Sequence, residues 1–128
     1  MIDPAPMMNH TSPKLNEKEL RKAIKLYYRV VYESKPSKFT LETHVQSVKG
    51  QFQYPGNYAE LRLGFPGFGN AKLLVHNFQG SDKHYYSIDT NDDYKTPEHQ
   101  DYERKIEEAW RKEKIPVYED YVKEKHHK

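Results

Sequence analysis

Between Phe39 and Ile88 the chain reads as four short strands separated by turn-forming clusters, and an amphipathic helical pattern lies on either side of that block. This order constrains the fold more than any other feature. Consecutive strands joined by short connections form an antiparallel sheet, and the apolar face of that sheet needs a cover. The two flanking helical patterns are the only segments able to provide it.

The first predicted strand, about Lys38 to Val48, alternates Phe39, Leu41, Thr43 and Val45 with Thr40, Glu42, His44 and Gln46. Tyr54-Pro55-Gly56-Asn57 is a turn, with proline at its first corner and glycine able to take positive φ. A second strand, about Tyr58 to Leu63, directs Ala59, Leu61 and Leu63 inward and Tyr58, Glu60 and Arg62 outward. The loop Gly64-Phe65-Pro66-Gly67-Phe68-Gly69-Asn70 leads to a third strand, about Ala71 to Phe78. There Leu73 and Val75 face the core, while Lys72, Leu74 and His76 face away. Gln79-Gly80-Ser81-Asp82 turns into a fourth strand, about Lys83 to Ile88.

The helix before this block opens on Asn16 as cap, with Glu19 three residues later as its capping-box partner. Leu20, Ile24, Tyr27 and Val31 form its apolar stripe, and Arg21, Lys22, Lys25 and Arg29 its basic face. Such a face is usually solvated, and it can also meet phosphate. The second helix starts at Thr96-Pro97 and presents Tyr102, Ile106, Ala109 and Trp110. Beyond Pro116 a short helix carries Tyr118, Tyr121 and Val122.

The expected fold is therefore α+β: a four-stranded antiparallel meander packed on one face by the N-terminal helix and the C-terminal helices, a two-layer sandwich with its other face exposed. Residues 1–14 read as a disordered tail, 15–125 as a single domain and 126–128 as a frayed end. A chain of 128 residues can bury one core without disulfides, and it has no cysteine. No apolar run approaches the roughly 20 residues that cross a bilayer, and no secretion signal opens the chain. The expectation is a cytoplasmic protein with no membrane partner. Twenty-one basic residues balance 19 acidic ones, so a net charge of +2 gives little bulk attraction for nucleic acid.

Motifs for chemistry are sparse. There is no phosphate-binding loop opening a helix, no nucleophile elbow and no H-E-x-x-H. Asp89-Thr90-Asn91-Asp92-Asp93 resembles the first half of a calcium loop, but its sixth position is Tyr94 and its twelfth Gln100. His44, His76 and His84 fall on the first, third and fourth predicted strands and invite a zinc reading, but a single register slip would separate them. No metal ligands and no cofactor are assigned.

What remains is acid–base chemistry on the exposed sheet face. Cleaving RNA through its own 2′-hydroxyl needs a base, an acid and a cation. Glu60 or His44 can serve as base, His76 as acid, and Arg62 with Lys72 as phosphate clamp. A helix first, followed by Glu, Arg and His on an antiparallel sheet, resembles small microbial endoribonucleases and the ribonuclease domains of bacterial toxins over roughly residues 15–90. That resemblance implies a metal-independent ribonuclease.

Eleven tyrosines point elsewhere. Tyrosine packs its ring while keeping its hydroxyl wet, which suits interfaces. The first reading is a macromolecule-binding accessory or inhibitor-type protein, with a protein partner favoured, that grips through Tyr54, Tyr58, Phe65, Phe68 and Lys72. The ribonuclease is the alternative. A binder of RNA or other single-stranded nucleic acid that stacks bases on Tyr and Phe is the third reading.

Overall fold

The protein, as a computed structural model, is described over residues 14–52, 57–64, 71–78, 83–90 and 96–126. The expected tail up to Pro13, the turns around Tyr54 and Gly80, the loop from Phe65 to Asn70 and the acidic loop after Thr90 lie outside the described residues.

Helix α1 spans Glu17–Tyr32. The Asn16 side chain accepts the Glu19 backbone N–H at 3.0 Å, the N-cap half of the expected capping box, while the Glu19 side chain lies against Tyr86 rather than returning to the cap. Its buried stripe is Leu20, Ala23, Ile24, Leu26, Tyr27 and Val31. At the far end Glu33 takes the left-handed conformation with φ 53°, and its N–H bonds to the Arg29 carbonyl.

Helix α2 spans Lys38–Gln51, where the alternation of Phe39, Leu41, Thr43 and Val45 predicts a strand. This corrects the four-stranded expectation. Ser37 caps the helix by accepting the Thr40 N–H at 3.0 Å. Its buried residues are Leu41, Val45 and Val48, spaced by four and three, so the packed stripe follows the helical period. The other two members of the alternation face water: Phe39 is 81% exposed and Thr43 is also exposed.

Three strands follow among the described residues: β1 (Asn57–Arg62), β2 (Ala71–Asn77) and β3 (Tyr85–Thr90). They pair antiparallel in the order β1-β2-β3. Ala59, Leu61, Leu73, Val75, Tyr86 and Ile88 point inward and are buried. Helix α3, Pro97–Lys112, opens with the Thr96 cap and proline in its first turn, and His99 completes the capping box that Glu or Gln usually makes. It buries Ile106 and Trp110. α3 lies against α1 and β3, and α2 lies against α1 and β1. The indole N–H of Trp110 donates to the Ala23 carbonyl at 3.1 Å and so ties α3 to α1 inside the core. Helices and sheet make an α+β arrangement of two layers around one apolar cluster.

Both sheet edges are guarded. On β1, the Gln51 amide accepts the Glu60 N–H and donates to the Glu60 carbonyl, each at 2.8 Å. On β3, the Tyr86 N–H donates to the Pro116 carbonyl at 2.9 Å, and Tyr86 bridges Val117 in parallel. Covered edges of this kind discourage strand addition by another chain. After that bridge, helix α4 (Tyr118–His126) folds over one end of the outer sheet face. The face expected to be fully exposed is thus open at one end only. Among the described residues no helix is long and apolar enough to cross a membrane.

Candidate interaction face

The register places the outer side chains in three cross-strand rows. Tyr58, His76 and Tyr85 form the first, Glu60, Leu74 and Ser87 the second, and Arg62, Lys72 and Asp89 the third. Alternation along each strand accounts for the arrangement: the positions between these residues, Ala59, Leu61, Leu73, Val75, Tyr86 and Ile88, face the core. Glu60, Arg62, Lys72 and His76 therefore share one face, as the sequence suggests.

His44 does not join them. It lies on α2, where its Nε2 is 3.0 Å from the Tyr28 hydroxyl, and burial lowers its pKa. The strand reading of residues 38–48 would have put it on the sheet; the helix removes it. His84 is separate again. It is buried, it donates from Nε2 to the Lys14 carbonyl at 2.9 Å, and it meets Phe52 edge-on with centroids 4.7 Å apart. The three histidines occupy three different surroundings.

The aromatic row is packed beneath α4. Tyr118 stacks on His76 with centroids 3.9 Å apart and an interplanar angle of 10°. Phe78 lies nearly parallel to the same imidazole at 5.9 Å, and Tyr121 stacks on Phe78 at 4.7 Å. Tyr121 also contacts Tyr85 at 4.4 Å. The His76 Nε2 is 2.8 Å from the Ser87 hydroxyl. Burial in this stack pushes the His76 pKa down to about 4. Near neutral pH the ring is uncharged and covered on one side by Tyr118, which suits a structural rivet better than a proton donor to substrate.

The other end of the face is open. Lys72 and Glu60 pair at 3.2 Å, both partly exposed, so each compensates the other. Arg62 is exposed and makes no ion pair among the described residues. Tyr58 is 47% exposed, with its ring 6.0 Å from His76. Leu74 lies half-buried between them. Of the predicted binding residues, Tyr58 and Lys72 belong to this surface, while Tyr54, Phe65 and Phe68 lie outside the described residues.

One further feature went unread in the sequence. The Tyr27 hydroxyl donates to the Gly64 carbonyl, and the Tyr32 hydroxyl donates to the carbonyls of Leu63 and Gly64 at 2.8 and 3.1 Å. Gly64 has φ 78°, a conformation glycine takes without steric penalty. The start of the glycine-rich loop is thereby fixed to α1. Tyrosines at positions 27 and 32 of one helix carry no sequence signal for this, because their partners are backbone carbonyls.

Comparison of the chain with protein families, curated proteins and solved structures finds no match in any of the three.

Proposed function

We propose that this is a non-catalytic protein that binds another protein through the open end of its outer sheet face. The observation that carries this reading is the stacking of Tyr118 on His76. It withdraws the one group on the face suited to proton transfer at neutral pH. What the face then presents is Tyr58, Leu74 and Arg62 around the Lys72–Glu60 pair. Tyrosine and arginine beside a half-buried aliphatic side chain are the residue types that anchor protein interfaces. On sequence grounds the reading extends to Tyr54, Phe65 and Phe68, in the turn segments on either side of β1.

The test compares wild type with the Tyr58→Ala/Arg62→Ala double variant. Each is used for affinity capture from the native host, followed by reconstitution with the purified partner. A protein that binds wild type directly and binds the variant at least tenfold more weakly supports the proposal, since central anchors carry most interface energy. Equal binding by both overturns it. RNA cleavage by the purified chain between pH 5 and 8, abolished by Glu60→Gln, establishes the ribonuclease instead.

A further inference from the structure

The basic face of α1 divides into parts with different surroundings. Arg21 is bound by carboxylates: its guanidinium holds Glu42 through two bonds of 2.7 Å and reaches Glu17 at 3.4 Å. Lys22 pairs with Glu113, at the end of α3, at 3.5 Å. Lys25 and Arg29, one and two turns further on, make no ion pair among the described residues, and neither does Lys35. All three are exposed. They line a cleft of about 550 Å³ whose wall also includes Ser34 and the buried Leu26.

A cation near the carbonyl end of a helix is ordinary, and it accounts for Arg29 alone. It does not explain why three cations with no ion pair among the described residues line one concavity, or why Glu113, just after α3, is already held by Lys22. Glu33 is the one other carboxylate on the lining, so cations exceed anions by two there. Concave sites of a few hundred cubic ångströms take small molecules. Guanidinium and ammonium groups together provide the bidentate and point-charge contacts that phosphate oxygens accept.

We propose that this cleft binds a small phosphate-bearing molecule of nucleotide size. Lys25, Arg29 and Lys35 meet the phosphate oxygens, the Ser34 hydroxyl donates to one of them, and Leu26 supplies an apolar floor for the rest of the ligand. A nucleic-acid strand fits less well, because a net charge of +2 gives it little bulk attraction. The cleft is formed by α1, the segment after it and the end of α3, with no residue of the outer sheet face, so the proposal stands apart from the binding function above.

The experiment is an amide-resolved NMR titration of the full chain with pyrophosphate, with ATP and with a twelve-residue oligonucleotide, at constant ionic strength. Pyrophosphate or ATP should give saturable shifts confined to residues 22–35 and the neighbourhood of Glu113. The double variant Lys25→Ala/Arg29→Ala should weaken binding at least tenfold, while Lys18→Ala on the same helix leaves it unchanged. Both sets of substitutions are at exposed positions, and melting curves confirm that the fold is kept. Shifts that sodium chloride reproduces, equal affinity in the double variant, or binding of the oligonucleotide without binding of either small phosphate would each overturn the proposal.

Discussion

The Tyr118 ring lies over the His76 imidazole with centroids 3.9 Å apart, and the two planes are within 10° of parallel. Burial there depresses the His76 pKa from its ordinary 6.5 to about 4. The unfolded chain thus binds a proton that the folded chain refuses between those values. Stability from this site is complete above pH 6.5 and is lost as pH falls toward 4. Ring-nitrogen NMR should show His76 neutral down to about pH 5. Tyr118→Ala should move its midpoint back toward 6.5 by uncovering the ring. A wild-type His76 midpoint between 6 and 7 would contradict the stack and reopen the acid–base reading.

Glu107 supplies a slope of the opposite sign. Burial, with the Glu119 carboxylate adding to it, raises its pKa from 4.5 to about 7, and Arg111 at 3.9 Å offsets only part of this. Between those values the folded protein holds a proton that the unfolded chain has released. Stability therefore falls as pH rises through that window. Glu107→Gln, which cannot ionise, should melt a few degrees above wild type at pH 8, and the gap should close by pH 5. A variant that melts below wild type at pH 8 would show that the Arg111 pair outweighs the burial.

Trp110 is fully buried, touches Tyr86 at a centroid distance of 5.9 Å, and donates to the Ala23 carbonyl. Trp110→Ala removes a large ring from between α1, α3 and β3, and should destabilise the protein by about 3–5 kcal/mol in urea unfolding. Leu61→Ala, on the same core at the β1 side, should cost about 2–5 kcal/mol. A loss near 1 kcal/mol at both sites would place the core elsewhere.

The elements that could be read from the sequence are those with local chemistry of their own. Asn16 and Thr96 cap their helices through contacts three residues away, and the stripes from Leu20 to Val31 and from Ile106 to Trp110 repeat at the helical period. β1, β2 and β3 alternate over five or more residues. Residues 38–51 misled because Leu41 and Val45 satisfy both periods at once. The signals that decide between them are Ser37 as a cap and Val48, which breaks the two-residue alternation and extends the helical one. Moving that segment from sheet to helix took His44 out of the candidate site while leaving Glu60, Arg62 and His76 together. The cover on His76 was hidden for another reason. Tyr118 and Tyr121 show only that a short helix has an aromatic side; which surface that side meets is set by the Tyr86–Val117 bridge, a contact between residues 31 apart in sequence.

The Gln51 side chain stands in for a neighbouring strand at Glu60, accepting its N–H and donating to its carbonyl. Both backbone groups would otherwise be open to water or to another chain at the edge of β1. Gln51→Ala should therefore act locally. Loss of two hydrogen bonds at a partly exposed site should destabilise the protein by about 1–2 kcal/mol. The Glu60 amide should exchange with deuterium markedly faster, while the Leu73 and Val75 amides on β2 change little. Gln51→Glu tests which bond matters, since a carboxylate still accepts the Glu60 N–H but cannot donate to its carbonyl. It should restore amide protection without restoring full stability. The freed edge should also make Gln51→Ala more prone to pair with its own copies, visible as a concentration-dependent sedimentation coefficient absent from wild type. Unchanged exchange at Glu60 in Gln51→Ala would show that the edge of β1 is protected by other means.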